Sequence, residues 1–267
     1  MDTTRLAGKN ILITGGAQGM GAAIGRHYAA QGASVCLADL NLDGAQETAD
    51  AIVKDGGVAT AVHIDVTKVE DAAKAVAHTV TEFGSINVLL NNAGINKPMF
   101  FLEATEQNWR LINDINAWGT FNCMQAAGRQ MRDQGAQDFP YKIINVGSIL
   151  SRDAFIDSSV YTASKHAVLG LIKAGAKSLI DYNITVNGYA PGVVRTEMWE
   201  QLDKDLTEMG LFDKPGTSMD TIAATAIPMG RYSYPADIVG VASFLASAES
   251  DYMTGQLIQI DGGMVMI

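Results

Sequence analysis

Seven short apolar runs, each stopped by a glycine or a small polar residue, restrict this chain more than any other feature. They are Lys9–Thr14, Ser34–Ala38, Ala59–Ile64, Ile86–Leu90, Lys142–Val146, Ile184–Asn187 and Gln256–Ile260. Runs that are apolar at consecutive positions fit strands buried on both faces. Between them lie stretches of helical composition: Ala22–Ala30, Asp43–Lys54, Val69–Phe83, Glu103–Gln134, Ser159–Ile180 around Tyr161, and one from Pro235 to about Ala248. Glycines close the first three, as helix C-termini favour. Strands alternating with helices predict an α/β fold, a seven-stranded parallel sheet with helices on both faces. No linker, low-complexity tract or longer repeat divides the chain, so residues 1–267 read as one domain. Val193–Arg231 is the exception in texture. Its periodicity is weak and it is richer in Gly, Pro and Met, which predicts a mobile insertion over the substrate.

Charge and composition exclude several functions. The chain is 48% hydrophobic and 18% charged, enough apolar material for a sizeable core. A net charge of -10 with no basic cluster argues against nucleic acid or an anionic membrane surface as partner. No apolar run approaches a membrane span, and Met1–Lys9 lacks the apolar region of a secretory signal. Two cysteines, Cys36 and Cys123, are too few for a disulfide framework or a zinc site, and a reducing cytoplasm fits them. His27, His63, His78 and His166 have no metal-ligand spacing, so no metal is expected.

The turn after the first strand, Thr14-Gly15-Gly16-Ala17-Gln18-Gly19-Met20-Gly21, can bend tightly and approach a pyrophosphate at a helix N-terminus. Asp39 ends the second strand, where dinucleotide folds place a carboxylate on the adenosine ribose. The same carboxylate repels a ribose 2′-phosphate, and no arginine occupies position 18 or 40 to attract one, so NAD is expected over NADP. Asp65 ends the third strand. It can cap a helix beside Thr67 or meet the adenine.

Tyr161 and Lys165 are four residues apart and share one helical face. A phenolate about 5 Å from an ammonium gains roughly 3 kcal/mol at an effective dielectric near 20, about two pKa units. That shift brings the phenol toward proton exchange with an alcohol oxygen. Alone, the pair reads equally as a surface tyrosine beside a lysine.

Taken in order, the Thr14–Gly21 turn, Asp65-Val66, Asn91-Asn92-Ala93-Gly94, Asn116, Ser148, Tyr161 with Lys165, Pro191-Gly192 and Thr196 resemble the short-chain dehydrogenase/reductases of the compact single-domain type. The resemblance runs from Lys9 to Gly263 and implies a doubly wound Rossmann fold. It implies that Gly15, Gln18, Gly19, Met20, Gly21, Asp39, Asp65, Val66, Pro191 and Gly192 bind the dinucleotide. Asn92, Ala93 and Gly94 would line its adenosine side, and Val194 and Thr196 would hold the carboxamide. Ser148 would hydrogen-bond the substrate oxygen and Tyr161 would pass it a proton. Lys165 would lower the tyrosine pKa and hold the nicotinamide ribose, while Asn116 would anchor a water linking Lys165 to solvent. Met20 stands where isoleucine is commoner, and Gln18 where NADP-preferring members often carry a basic residue. The Tyr161–Lys165 spacing disfavours the enoyl-reductase branch.

Ala190–Asp203 and the closing Asp261-Gly262-Gly263-Met264 are similar to the acetoin, 2,3-butanediol and sugar-alcohol dehydrogenases. Met198, Trp199, Leu150, Phe155 and Met99 would give an apolar wall, with Asn96, Ser151, Arg152 and Asp153 as hydroxyl partners. Arg152 or Lys97 could instead bind a carboxylate. The expected substrate is a small secondary alcohol, a polyol, sugar alcohol or vicinal diol, or the corresponding ketone. A 3-oxoacyl-[acyl-carrier-protein] reductase and a non-catalytic dinucleotide sensor are the rivals. The surplus of apolar and small residues in Glu103–Gln134 and Ser159–Ile180, with the family's habit, leads to an expected homotetramer.

Overall fold

Every apolar run becomes a strand, and the reason is the alternation of faces. Ile11 and Ile13 join one core cluster while Leu12 between them joins the other, so each strand packs on both sides. The computed structural model describes residues 4–135 and 137–266. Met1–Thr3, Ala136 and Ile267 of the expected 1–267 domain lie outside the described residues. The strands are β1 (Asn10–Thr14), β2 (Ser34–Asp39), β3 (Val58–His63), β4 (Val88–Asn91), β5 (Tyr141–Val146), β6 (Ile184–Pro191) and β7 (Leu257–Ile260). They form one 7-stranded sheet in the order β3-β2-β1-β4-β5-β6-β7, with all neighbours parallel.

Helices α1 (Gly19–Ala30), α2 (Leu42–Lys54) and α9 (Pro235–Ala246) cover one face. Helices α3 (Val69–Phe83), α5 (Gly119–Asp133) and α6 (Ser159–Leu179) cover the other. The direction of winding reverses between β1 and β4, which opens a crevice at the carboxyl ends of those strands. One charge sits inside this sheet. Lys142 of β5 is 2% exposed, and its ammonium meets Ser250 Oγ at 3.1 Å and Asp251 Oδ1 at 2.7 Å. Burial lowers its pKa against the pull of Asp251.

Two segments differ from their sequence reading. The long helix expected over Glu103–Gln134 begins at α4 (Glu106–Asn113), capped by Thr105 Oγ1 accepting from the Asn108 N–H at 3.1 Å. It passes through a π-helical turn at Asp114–Trp118 before α5. The segment expected to be weakly periodic, Val193–Arg231, contains two helices, α7 (Glu197–Glu208) and α8 (Ser218–Ala226). Asp203 staples them: its carboxylate accepts from the Ser218 N–H at 3.0 Å, from the Ser218 hydroxyl and from the Gly216 N–H. Burial pushes the Asp203 carboxyl up, and those donors outweigh it and hold it below the usual carboxylate range. Among the described residues no helix is long and apolar enough to cross a membrane.

The β5–β6 pair shows how closely the sheet is built beside the crevice. Gly188 lies opposite Asn145, and a Cβ there would fall 2.4 Å from the Asn145 carbonyl oxygen and 2.7 Å from Ile172 Cδ1. Neither neighbour is free to retreat. Gly188→Ala is therefore expected to cost about 1–3 kcal/mol of stability, read as a lower urea midpoint at unchanged slope. An unaltered midpoint would refute the clash.

Candidate active site

The two strands that flank the reversal are clamped to each other at their exits. Thr14 Oγ1, at the end of β1, accepts from the N–H groups of Asn92 and Ala93 at 3.1 Å each. Asn92 Nδ2 donates back to the carbonyls of Thr14 at 3.1 Å and Gly15 at 2.9 Å. These bonds hold the glycine turn in a conformation few residues could enter. Gly15 and Gly19 have φ of 69° and 57°, and a Cβ on Gly21 would lie 1.9 Å from the Gly15 carbonyl oxygen. Gln18, at the α1 N-cap, makes no side-chain cap, so the first-turn N–H groups face the crevice without a side-chain acceptor. Asp39 closes the far side. Its carboxylate accepts from the Ala17 N–H at 3.0 Å and the Asn41 N–H at 2.9 Å. Asp65 is turned inward by Thr67, whose N–H and hydroxyl donate to Asp65 Oδ1 at 3.0 and 2.7 Å. The α3 N-cap is Lys68, so Asp65 shapes the approach to that helix without capping it.

The proton-bearing groups stand at the ends of β5 and α6. Ser148 follows β5, and Tyr161 and Lys165 lie one turn apart on α6. The Ser148 hydroxyl faces the Tyr161 phenol closely enough to lower its pKa. Lys165 Nζ donates to the Val146 carbonyl at 2.9 Å and lies 5.5 Å from the Tyr161 ring centre. Burial raises the phenol to about 12, opposed by Ser148, and lowers Lys165 to about 8. Burial thus outweighs the lowering expected from Lys165. Desolvation penalises phenolate and ammonium alike, and at this separation it dominates.

Asn116 sits in the π-turn, fully buried. Its Oδ1 accepts from the Ile95 N–H at 2.9 Å, and its Nδ2 donates to the Ile95 carbonyl at 2.9 Å and Ser164 Oγ at 3.0 Å. Both amide protons are thus spent on tying the β4 exit to α6. Gly94 lies against the same group: a Cβ there would meet Asn116 Oδ1 at 3.2 Å and Lys165 Nζ at 3.6 Å. Gly94 accordingly stands beside the lysine.

A cavity of about 480 Å³ joins these groups. Met20, Asn92, Gly94, Pro191, Gly192, Val194 and Thr196 line one end of it, and Ser148, Tyr161 and Lys165 line its floor. Asn96, Leu150, Phe155, Met198 and Trp199 line it as well. Among the described residues lining it, Lys165 is the one cation and Asp157 the one acid.

Comparison with known proteins agrees with this geometry. Residues 15–265 match the family model described as enoyl-(acyl carrier protein) reductase. Diacetyl reductase [(S)-acetoin forming] of Staphylococcus epidermidis is 37% identical over 257 residues, 96% of this chain and 98% of that protein. L-2,3-butanediol dehydrogenase of Corynebacterium glutamicum is 39% identical over 259 residues, again 96% and 98%. A short-chain type dehydrogenase/reductase from Mycobacterium marinum has a similar structure, with a TM-score of 0.89 and 35% identity, covering 100% of this chain and 99% of that one. The chain belongs to the short-chain dehydrogenase/reductase family. The description of the family model names one branch and does not assign that activity here.

Within this short-chain dehydrogenase/reductase, several expected substrate contacts fall elsewhere. Ser151 Oγ accepts from the Ser148 N–H at 3.2 Å and is fully buried, so it supports Ser148. Arg152 donates to the Leu257 carbonyl at 3.1 Å, Asp153 accepts from the Ala154 N–H at 2.8 Å, and Lys97 is exposed. None of these lines the cavity, and neither does Met99, which pairs with Ser158 and donates to the Asp157 carbonyl at 2.8 Å. Sequence reading missed Asp157 and the wall built by Leu202, Leu206, Phe212 and Ile222. Trp199, Leu202 and Leu206 are spaced three and four apart, the one signal from which that wall could have been read.

The buried ammonium leads to a pH test. Between about 8 and 10.5 the folded protein holds Lys165 with fewer protons than the unfolded chain does, so its penalty shrinks as pH rises. Lys165→Met should be more stable than the parent below pH 8, and the difference should narrow through this window. Urea titrations at several pH values check it; a difference independent of pH would refute the burial account.

Proposed function

We propose that this chain is an NAD-dependent oxidoreductase that interconverts a small secondary alcohol (polyol, sugar alcohol or vicinal diol) and its ketone, with Tyr161 as the acid/base. The observation that carries this reading is the meeting of Ser148, Tyr161 and Lys165 with the glycine-turn side of the crevice in one cavity. Gly15, Gln18, Gly19, Met20 and Gly21 would receive the pyrophosphate, Asp39 the adenosine ribose, and Asp65 and Val66 the adenine side. Asn92, Ala93, Gly94, Pro191, Gly192, Val194 and Thr196 would enclose the rest, with Lys165 on the nicotinamide ribose. When bound there, the dinucleotide supplies the hydride acceptor or donor. The Asp39 carboxylate, one residue from the 68% exposed Leu40, favours a free 2′-hydroxyl over a 2′-phosphate.

The residues of the chain handle the proton. Tyr161 is a neutral phenol at ordinary pH, so in reduction it donates to the carbonyl oxygen as that oxygen gains charge. Ser148 Oγ hydrogen-bonds the same oxygen and fixes its position. The Lys165 ammonium favours the phenolate left behind. Asn116, through Ser164, holds the helix turn that carries Tyr161. In oxidation the phenol must first lose its proton, which burial opposes. Diacetyl and butanediol in the names of the similar enzymes favour a diol or hydroxyketone. A carboxylate substrate is disfavoured, since Arg152 and Lys97 do not line the cavity and Asp157 does.

Absorbance of reduced nicotinamide, followed with either dinucleotide over diols, polyols, hydroxyketones and hydroxy acids, tests the reading. A rate with NAD and an alcohol or ketone is expected, and Tyr161→Phe should lower it about a hundredfold to ten-thousandfold. Reduction should slow as pH rises through about 8, where Lys165 loses the charge that favours the phenolate left behind. An unchanged rate in Tyr161→Phe overturns the role, and a rate with NADP alone overturns the reading of Asp39.

The protein is also proposed to act as a homotetramer in the cytoplasm. Trp109, Trp118 and Phe121 on α4, the π-turn and α5 are 51%, 45% and 38% exposed, more aromatic surface than one small helical face carries by chance. Light scattering should return about four times the chain mass of 28.3 kDa. A monomer at micromolar concentration would refute it.

A further inference from the structure

The catalytic cavity is chemically divided. Most of its polar side chains, Ser148, Tyr161, Lys165, Asn92, Asn96, Asp157 and Ser158, come from strand ends, the loops after them and α6, with Thr196 at the α7 N-cap. Its other end is built by α7, α8 and the turn between them, through Leu202, Leu206, Leu211, Phe212, Ile222 and Ala226. Those six offer no side-chain donor or acceptor. The polar groups of this region are turned to each other: Trp199 Nε1 donates to Ser218 Oγ at 3.2 Å, and Ser218 donates to the Asp203 carboxylate. The rim is apolar too, with Phe155, Ile156 and Met198 being 37%, 74% and 42% exposed. A surface of this kind beside a polar floor is matched by a hydrocarbon substituent on a carbonyl carbon. A string of hydroxyls would meet no partners there and would lose those it had in water.

We infer that α7 and α8 form an alkyl-binding arm, so that the preferred substrate is a secondary alcohol or ketone bearing a hydrocarbon chain of several carbons, in preference to a polyol. The inference rests on the alcohol–ketone reading of the site and narrows its substrate range away from polyols. A cavity of about 480 Å³ lies in the range that encloses drug-sized ligands, more than a four-carbon diketone fills beside a nicotinamide ring. Each methylene placed on the arm leaves water for apolar surface, an effect that should appear as a gain of about threefold to fourfold in kcat/KM.

The test uses two homologous series on the intact enzyme. The first is the linear 2,3-diones from four to eight carbons, reduced with NADH or NADPH, beside sorbitol and 2,3-butanediol in the oxidising direction. The second is the linear carboxamides from four to eight carbons, whose carbonyl is not reduced, with affinity read by calorimetry. Both kcat/KM and amide affinity should climb with each carbon. Phe212→Ser and Ile222→Ser should each flatten the climb, judged within each variant. A climb in amide affinity with no dione reduced supports the arm and removes the ketone reading. Diones reduced at rates that ignore chain length, with flat amide affinities, keep the ketone reading and overturn the arm. Sorbitol turned over with a higher kcat/KM than the longer diones also overturns it.

Discussion

The exchange of hydrogen bonds between Thr14 and Asn92 is the contact on which the rest of this site depends. It joins β1 and β4 where the sheet changes its winding, one strand sending its chain to α1 on one face and the other toward α5 on the opposite face. On the β1 side it fixes the carbonyls that shape the glycine turn. On the β4 side it sets the start of a loop that continues through Gly94 to Ile95. Ile95 is held at both its N–H and its carbonyl by Asn116, Asn116 holds Ser164, and Ser164 donates to the Tyr161 carbonyl at 2.7 Å. The glycine turn after β1 and the helix carrying the phenol are therefore parts of one bonded chain. The π-turn belongs to this chain as well, because it is the local widening of the helix that carries Asn116.

Burial acts on the two titratable groups of the site in opposite senses from a single cause. Taking Tyr161 and Lys165 out of water favours the neutral form of each, which moves the phenol to about 12 and the ammonium to about 8. Proximity alone would have brought the phenol down. The 5.5 Å from ammonium to ring, and the use of Lys165 Nζ on the Val146 carbonyl, leave that attraction weaker than the desolvation. At rest Tyr161 thus holds its proton, and the nearby Lys165 has the weaker hold on its own.

How much of this was legible depends on what range of interaction each feature needs. The sheet was readable because consecutive burial leaves consecutive apolar residues; Lys9 and Lys142 open two of these runs, and the partner of Lys142, Asp251, lies more than a hundred residues away in sequence. Motif residues were readable as types at spacings. Their bonding was not: nothing in the local sequence says that Asn116 spends both amide protons on Ile95 and Ser164, or that Ser151 supports Ser148. The direction of the Tyr161 shift was hidden for a related reason. An i, i+4 spacing reveals a neighbour, whereas desolvation is summed over everything that folds around the pair. Helices α7 and α8 escaped because glycine, proline and the polar staple at Asp203 dilute a pattern that only Trp199, Leu202 and Leu206 carry.

The same division of range separates reaction from substrate. Ser148, Tyr161 and Lys165 stand on a strand end and a helix buried against the sheet, where a displaced side chain would disturb the core. The far wall of the cavity stands on α7 and α8, which pack chiefly on each other and on a small satellite cluster around Val193, Ala223 and Ile227. Their apolar lining can change without touching the β5–β6 register or the Lys165–Val146 bond. Identity spread over the whole chain therefore constrains the reaction strongly and the far end of the substrate weakly. In this chain the part of the cavity lined by α7 and α8 is hydrocarbon.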